Sequence, residues 1–274
     1  MASVSDLDTS SSRYTVFSTK LQPPRLRTPL VVRSRLIDVF GFLPHVKLAV
    51  VSAPAGFGKT TLVGQAVQQM HWKAAWLSLD ESDNHPVRFW FCVLQSLRFV
   101  QPSLEPLTSD IPQIETPRRF DRWLAGFVSE LDRSIETLVL ILDDYHLIEN
   151  TRIHQGMIRL LQRMPHHFHL ILTTRVEPPF PLARLRANRE LLELNTEDLR
   201  FQTDETIAFL REVEALAIND RDVDQLAQQT EGWIAGLQLA ALYWREIGRE
   251  SQKRLNFDGS HAFVADYLTE EVIA

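Results

Sequence analysis

Apolar residues in this chain fall into short unbroken runs, separated by longer stretches in which they recur every three or four positions. The runs Lys47 to Val51, Ala74 to Leu79, Leu138 to Leu142, Leu170 to Thr173 and Leu191 to Leu194 read as strands, and Leu138 to Leu142 is near-continuous, as expected when both faces are covered. Between them the period changes. Leu62 to Val67 opens a helix that carries on to about Met70, a second runs from Val87 to about Phe99, and Ile153 to Arg163 makes a third. Ser34 is placed to cap a helix through Arg35, Leu36, Ile37 and Phe40. The clearest start is Thr116-Pro117, a capping residue and a first-turn proline ahead of Phe120, Trp123, Leu124, Phe127, Val128 and Leu131. Strands alternating with helices predict an α/β fold with a mainly parallel, helix-covered sheet in three layers.

The pattern changes twice more. Pro23, Pro24 and Pro29 hold residues 14–30 extended, and Pro178, Pro179 and Pro181 interrupt the order after the fourth strand. Beyond Thr203 only helical stripes remain: Ile207, Phe209, Leu210 and Val213; then Val223, Leu226 and Ala227; then Trp233, Leu237, Leu239, Ala240, Leu242 and Tyr243. These shifts predict a serine-rich disordered lead-in over 1–18, an α/β domain over 19–202 and a small all-α domain over 203–274. Phe263, Val264, Tyr267, Leu268 and Val272 share one helical face, yet Ala274 follows without glycine, proline or cap. The all-α domain therefore reads as truncated, and the natural protein is expected to continue.

The first strand runs directly into Ala53-Pro54-Ala55-Gly56-Phe57-Gly58-Lys59-Thr60-Thr61, and a helix follows. Strand, glycine-bearing loop and helix in that order make a phosphate-binding loop of the Walker A kind. Gly56 and Gly58 let the main chain curl so that its N–H groups face phosphate oxygens. Lys59 reaches the β- and γ-phosphates, the Thr60 hydroxyl can ligate Mg²⁺, and the helix start adds partial positive charge. The strict pattern opens on glycine where this chain has Ala53, which is tolerable if φ there stays negative. A mere glycine-rich turn is the bland alternative. The context favours a bound nucleotide.

Two further elements fit that reading. The apolar run Leu138 to Leu142 delivers Asp143-Asp144 to its C-terminal end, the Walker B arrangement. Asp143 is placed to hold Mg²⁺, which prefers oxygen ligands, and Asp144 to orient an attacking water. Arg175 follows the fourth strand at the sheet edge where ligands bind, and its always-charged guanidinium suits a γ-phosphate. His166, His167 and His169 resemble a metal cluster, but alternation along a strand divides them between faces and no Cys or acid lies near. Cys92, the one cysteine, sits among Phe89, Trp90, Phe91 and Leu94 and reads as core.

Composition narrows the class without naming it. In 274 residues, 45% hydrophobic and 23% charged residues describe an ordinary globular chain. A net charge of −6 gives no nucleic-acid footprint, and Arg184, Arg186 and Arg189 read as a solvated or interdomain face. No secretory leader or membrane-length apolar run is present, so a cytoplasmic setting without membrane contact is expected.

Taken in order, several blocks resemble the nucleotide-binding and helical domains of the large ATP-dependent LuxR-type transcription regulators typified by MalT, which belong to the STAND class of NTPases. The blocks are Thr19-Lys20-Leu21 with Val32-Arg33-Ser34-Arg35-Leu36; Pro54 to Thr61; Leu79-Asp80-Glu81-Ser82-Asp83-Asn84 leading to Arg88-Phe89-Trp90; Leu142-Asp143-Asp144-Tyr145-His146; Thr173-Thr174-Arg175; Leu182 to Arg186; and Thr230-Glu231-Gly232-Trp233-Ile234-Ala235-Gly236-Leu237. The resemblance implies ATP or ADP with Mg²⁺ as ligands, an ADP-held resting form, exchange to ATP, self-association and slow hydrolysis. It also implies that Val32 and Arg33 border the adenine and that the helical domain closes over the nucleotide. A helical-repeat sensor and a C-terminal helix-turn-helix would follow in the family, so this chain alone is not expected to bind DNA. Many STAND proteins set a helical-domain proline against the nucleotide, where this chain has Ile234-Ala235. Two other readings compete with the switch: a catalytic P-loop ATPase motor or kinase, and a scaffold with a degenerate site.

Overall fold

The computed structural model describes residues 15–247, apart from 27, 115 and 135. Most of the expected lead-in and the helical face from Phe263 to Val272 lie outside the described residues. Within them, five strands form one sheet: β1 Leu48–Ser52, β2 Lys73–Ser78, β3 Leu138–Asp143, β4 Phe168–Thr174 and β5 Leu191–Leu194, in the order β2-β3-β4-β1-β5. Every pairing is parallel. The helices are α1 Ser34–Val39, α2 Lys59–Met70, α3 Pro86–Arg98, α4 Pro117–Asp132, α5 Thr151–Arg163, α6 Leu182–Ala187, α7 Thr196–Leu199, α8 Thr203–Ala208, α9 Asp220–Thr230 and α10 Ile234–Ile247.

The unbroken apolar runs follow from two cores, one on each face. Along β3, Leu138, Leu140 and Leu142 enter a cluster with Trp90, Phe120 and Phe127. Val139 and Ile141 turn the other way, toward Ile37, Leu62 and Val63. With a two-residue side-chain period and both sides dry, no position in β3 or β4 is left for a solvent-facing residue. A third cluster, built from Phe209, Leu210, Val223, Leu226, Leu237 and Ala240, joins the helices after Phe201. There α8 runs on into a π-helical turn, Phe209–Val213, which keeps the predicted stripe of that segment on one side.

Two expected caps differ in detail. Ser34 is the first residue of α1, and Arg33 at the capping position makes no side-chain cap. Thr116 does precede α4, yet its hydroxyl bonds no N–H of the first turn, so the start rests on Pro117 and its preset φ.

The segment ahead of the sheet is not extended throughout: Ser18–Leu21 forms a 3₁₀ turn, and it is pinned through Lys20. Lys20 pairs with Asp80 at 2.6 Å and with fully buried Asp83, and Arg88 reaches the same Asp83 carboxylate at 3.3 Å. Next to them, the Asn84 amide donates to the Leu147 carbonyl at 2.7 Å and accepts from the Glu149 and Asn150 N–H groups. The loop after β2 is thereby tied to the turn after β3. Of the candidate metal histidines, His169 Nδ1 bonds the Val46 carbonyl and His167 Nε2 the Leu131 carbonyl. Arg186 pairs with Glu177 and Glu193 on the surface.

Candidate nucleotide-binding site

The parallel order brings the C-terminal ends of β1, β3 and β4 to one rim, with β4 between the other two. From β1 the chain turns through Gly56 at φ 78° and Gly58 at φ 74°, values that cost a side-chain-bearing residue strain. Ala53 is not among the positive-φ residues, so its methyl group is tolerated at the first position of the loop. Lys59 opens α2, and its ammonium donates to the carbonyls of Ala53 at 2.8 Å and Pro54 at 2.9 Å. An ammonium has three donors, so this bracing fixes its direction while one N–H can still serve a ligand. Burial lowers the Lys59 pKa; Asp144 and Asp143 oppose that and Arg175 adds to it. Lys59 thus feels the charges of the other three charged residues expected at this site, Asp143, Asp144 and Arg175.

Asp143 lies at the centre of a hydroxyl bridge. Its Oδ1 accepts from Thr60 Oγ1 at 2.9 Å and from Thr173 Oγ1 at 2.5 Å. Burial pushes its carboxyl up to about 6, against the Thr173 hydrogen bond. Thr173 also accepts the Asp144 N–H at 2.9 Å, which locks the backbone just past β3. Asp144 there has φ 60°, a left-handed conformation that Asp and Asn adopt more readily than other side chains. Two hard oxygen donors side by side, Thr60 and Asp143, suit a small divalent cation, and they are the residues that would hold Mg²⁺. Thr173 appeared in the sequence only as the end of the fourth run and the start of the block Thr173-Thr174-Arg175, and its bond to Asp143 was not foreseen.

Beside the loop a cavity of about 610 Å³ is lined by Val31, Arg33, Thr60, Gln65, Phe201 and Ile234, among others. Two buried polar atoms of its wall, Arg33 Nη1 and Gln65 Oε1, have no hydrogen-bond partner. Gln65 Nε2 is committed to the Val31 carbonyl at 2.8 Å, which fixes Oε1 as an acceptor. Such orphans are rare in native interiors and suit a polar, planar ligand beside the phosphate loop. Arg33 otherwise serves the protein: it bonds the Leu199 and Arg200 carbonyls and Glu205, and lies 4.7 Å from the Phe201 ring centroid. Val32, expected beside the base, instead turns a 59% exposed side chain outward. An extended segment alternates its faces, so Val31 and Arg33 face the cavity and Val32 has only main chain to offer.

The stretch Thr230 to Leu237 closes on this loop. Gly232, at φ 71°, passes so near Phe201 that an added Cβ would lie 2.6 Å from the Phe201 carbonyl oxygen. That approach sets Trp233 Nε1 to donate to the Ala55 carbonyl at 3.1 Å and the Ala235 N–H to donate to the Gly56 carbonyl at 3.0 Å. Each of the four consecutive carbonyls from Ala53 to Gly56 is therefore held, two by Lys59 and two by residues of the helical segment. From the helices after Phe201 the cavity wall takes Phe209, Val213, Glu214, Ile234 and Gln238, and no proline.

No protein-family model matches the chain. It is 34% identical over 261 residues to the HTH-type transcriptional regulator MalT of Serratia proteamaculans, covering 92% of this chain and 28% of that protein. It is 32% identical over 259 residues to the serine/threonine-protein kinase PknK of Mycobacterium tuberculosis, covering 93% of this chain and 23% of that protein. The chain spans about a quarter of the length of these curated relatives. Among solved structures it is similar to the Walker-type ATPase PABY2304 of Pyrococcus abyssi, with a TM-score of 0.52 and 12% identity over 83% of this chain and 71% of that one. The chain accordingly has the P-loop NTPase fold, and the MalT-like character read from its motifs is matched by sequence relatives along nearly all of its length.

Proposed function

We propose that this chain is the nucleotide-controlled module of a MalT-like transcription regulator, binding ATP or ADP with Mg²⁺ and hydrolysing ATP slowly. The observation that carries it is the double hold on the phosphate loop. Lys59 braces one half of the loop, and Trp233 and Ala235, from a helical segment far along the chain, hold the other. A loop tied to a separately packed helical cluster is suited to pass its occupancy on, the property a switch needs. We place the division between the two parts near residue 203, where the third cluster begins.

In this reading the main-chain N–H groups of the loop and the Lys59 ammonium bind the β- and γ-phosphates, while Thr60 and Asp143 supply oxygen ligands to Mg²⁺. The cation would offset phosphate charge. Pro54 to Thr61 wrap the phosphates, and the cavity between Arg33, Gln65 and Phe201 takes the base. Asp144 orients the attacking water, and Arg175 neutralises charge at the terminal phosphate. Self-association in the ATP state, a cytoplasmic setting and the absence of direct DNA contact by this segment complete the proposal.

The match to a named protein kinase does not favour phosphotransfer by this segment. Protein kinases hold ATP with a different glycine-rich loop, and a stretch related to both a kinase and a regulator suits a shared control element. The test is equilibrium titration of the purified chain with fluorescent ADP and ATP, alongside a turnover assay. Micromolar or tighter binding that Lys59→Ala abolishes, with turnover well below one per second, supports the switch. Turnover of many per second favours a motor.

A further inference from the structure

On the face of the sheet away from α1 and α2, the starts of α3, α4 and α5 enclose a second cavity, of about 450 Å³, which shares no lining residue with the nucleotide cavity. Its apolar wall includes Val87, Ile114 and Phe120, and α5 closes it with Arg152, Gln155, Gly156 and Arg159, spaced as one helical stripe. Gly156 sets the shape. A Cβ there would stand 2.8 Å from the Trp90 indole and 2.9 Å from the Phe120 ring, so α5 rests directly on this aromatic pair. The walls are therefore built before anything binds, and the volume is that of a small-molecule site.

The charge around the cavity is one-sided. Among the described residues no Asp or Glu lines it. Helix α5 carries Arg152, Arg159 and Arg163 and no acid, and the first turns of α4 carry Arg118, Arg119 and Arg122 against Asp121 alone. Asp121 is taken by Arg159 at 2.7 Å. The Arg152 guanidinium pairs with no carboxylate of the described residues. This concentration stands out in a chain whose net charge is −6. His85 ahead of α3 and Thr116 ahead of α4 also border the cavity, and neither side chain caps its helix. The positive ends of helices of 13 and 16 residues add to the same field.

We propose that this cavity binds a small organic anion, its apolar body against Ile114 and Phe120 and its carboxylate or phosphate on the fork of Arg152. The proposal goes beyond the nucleotide-binding reading and does not depend on it. Surface arginines alone would suit any polyanion. The enclosed apolar wall beneath them selects a compact ligand with one charged end. Asp121 draws Arg159 toward α4, which leaves Arg152 as the fork open to that end.

The test is equilibrium dialysis of the whole chain, in buffer with Mg²⁺ and ADP, against 1-naphthylacetate, 1-naphthyl phosphate and the uncharged 1-naphthalenemethanol. It is repeated with Arg152→Gln and Gln155→Trp, both at exposed positions, so melting temperature and ADP affinity should be unaltered. The anions are expected to bind with Kd below about 1 mM, and about tenfold more tightly than the alcohol. Arg152→Gln should weaken both anions about tenfold and leave the alcohol where it was. Gln155→Trp, which fills the mouth of the cavity, should weaken all three. Inorganic phosphate has no apolar body and should displace neither anion. Either anion responding in this way supports the site, and the tighter of the two names the ionic end. Equal affinity for alcohol and anions, displacement by inorganic phosphate, or anion binding that both variants leave unchanged overturns the assignment, as does no binding of either anion.

Discussion

The indole N–H of Trp233 donates to the carbonyl of Ala55, although 178 residues separate them. Trp233→Phe would keep the ring and delete the donor, at a net cost of about 1 kcal/mol for the hydrogen bond. If that bond holds the helical segment closed on the loop, ADP should leave about three to ten times faster while its association rate stays put. Stopped-flow displacement of a fluorescent ADP measures this directly. An unchanged dissociation rate would mean that the contact only packs.

Asp143 should weaken the fold it sits in. Its carboxyl ordinarily titrates near 3.8 and is pushed up to about 6 by burial, so the folded protein disfavours the charged form. The stability this withholds is fully present below the unfolded pKa and is lost as pH rises toward 6. At pH 7 the difference is worth about 2–3 kcal/mol. Asp143→Asn keeps an oxygen for Thr60 and Thr173, so denaturant melts without Mg²⁺ should show a gain of that order at pH 7 and almost none at pH 4.

Gly232→Ala places a methyl carbon against the Phe201 carbonyl at a positive φ. Neither partner is a flexible side-chain end, so the backbone must move. Thermal melting should fall by about 5 °C or more, on the scale of about 2–4 °C per kcal/mol for chains near this size. An unaltered melting temperature would show that the turn is looser than its geometry implies.

Asp144→Asn suits the left-handed backbone as well as aspartate does, so the fold and ADP affinity should hold. Phosphate release under single-turnover conditions should slow by about a hundredfold, the usual scale for loss of a positioned base. Hydrolysis at the original rate would remove Asp144 from the proposed chemistry.

Gln65→Leu separates base from phosphate. Its amide bonds the Val31 carbonyl and presents an unpartnered oxygen in the cavity wall. ADP affinity should drop by about fivefold to tenfold, while affinity for inorganic triphosphate, which has no base, stays the same. Competition titrations separate the two outcomes.

Those features that depend on neighbours in the chain could be read from the residues. The inner strands β3 and β4 announced themselves because both faces are dry, and the loop from Ala53 to Thr61 because its glycines, lysine and threonines lie within a few residues of one another. Asp143 and Asp144 followed from the end of a run. Thr173 did not, because its partnership with Asp143 depends on β4 lying beside β3, and strand order leaves no local periodic trace.

The same limit explains the other surprises. Nothing near Trp233 in the chain points to Ala55, and Val32 was paired with Arg33 by motif although adjacent residues of an extended segment face opposite ways. Polar residues such as Asn84 and His146 entered only as members of motif blocks, with no local pattern to say what they touch. What marks them is a bond made, or one left unmade, in three dimensions.

The Lys20 to Asp83 pair governs how far the protein can be trimmed. A chain begun after Leu21 would retain every strand and the entire phosphate loop, yet leave a solvent-free carboxylate with Arg88 as its remaining cationic neighbour. The short stretch before the first helix therefore acts as a keystone for the far edge of the sheet, and shortened versions should begin upstream of it.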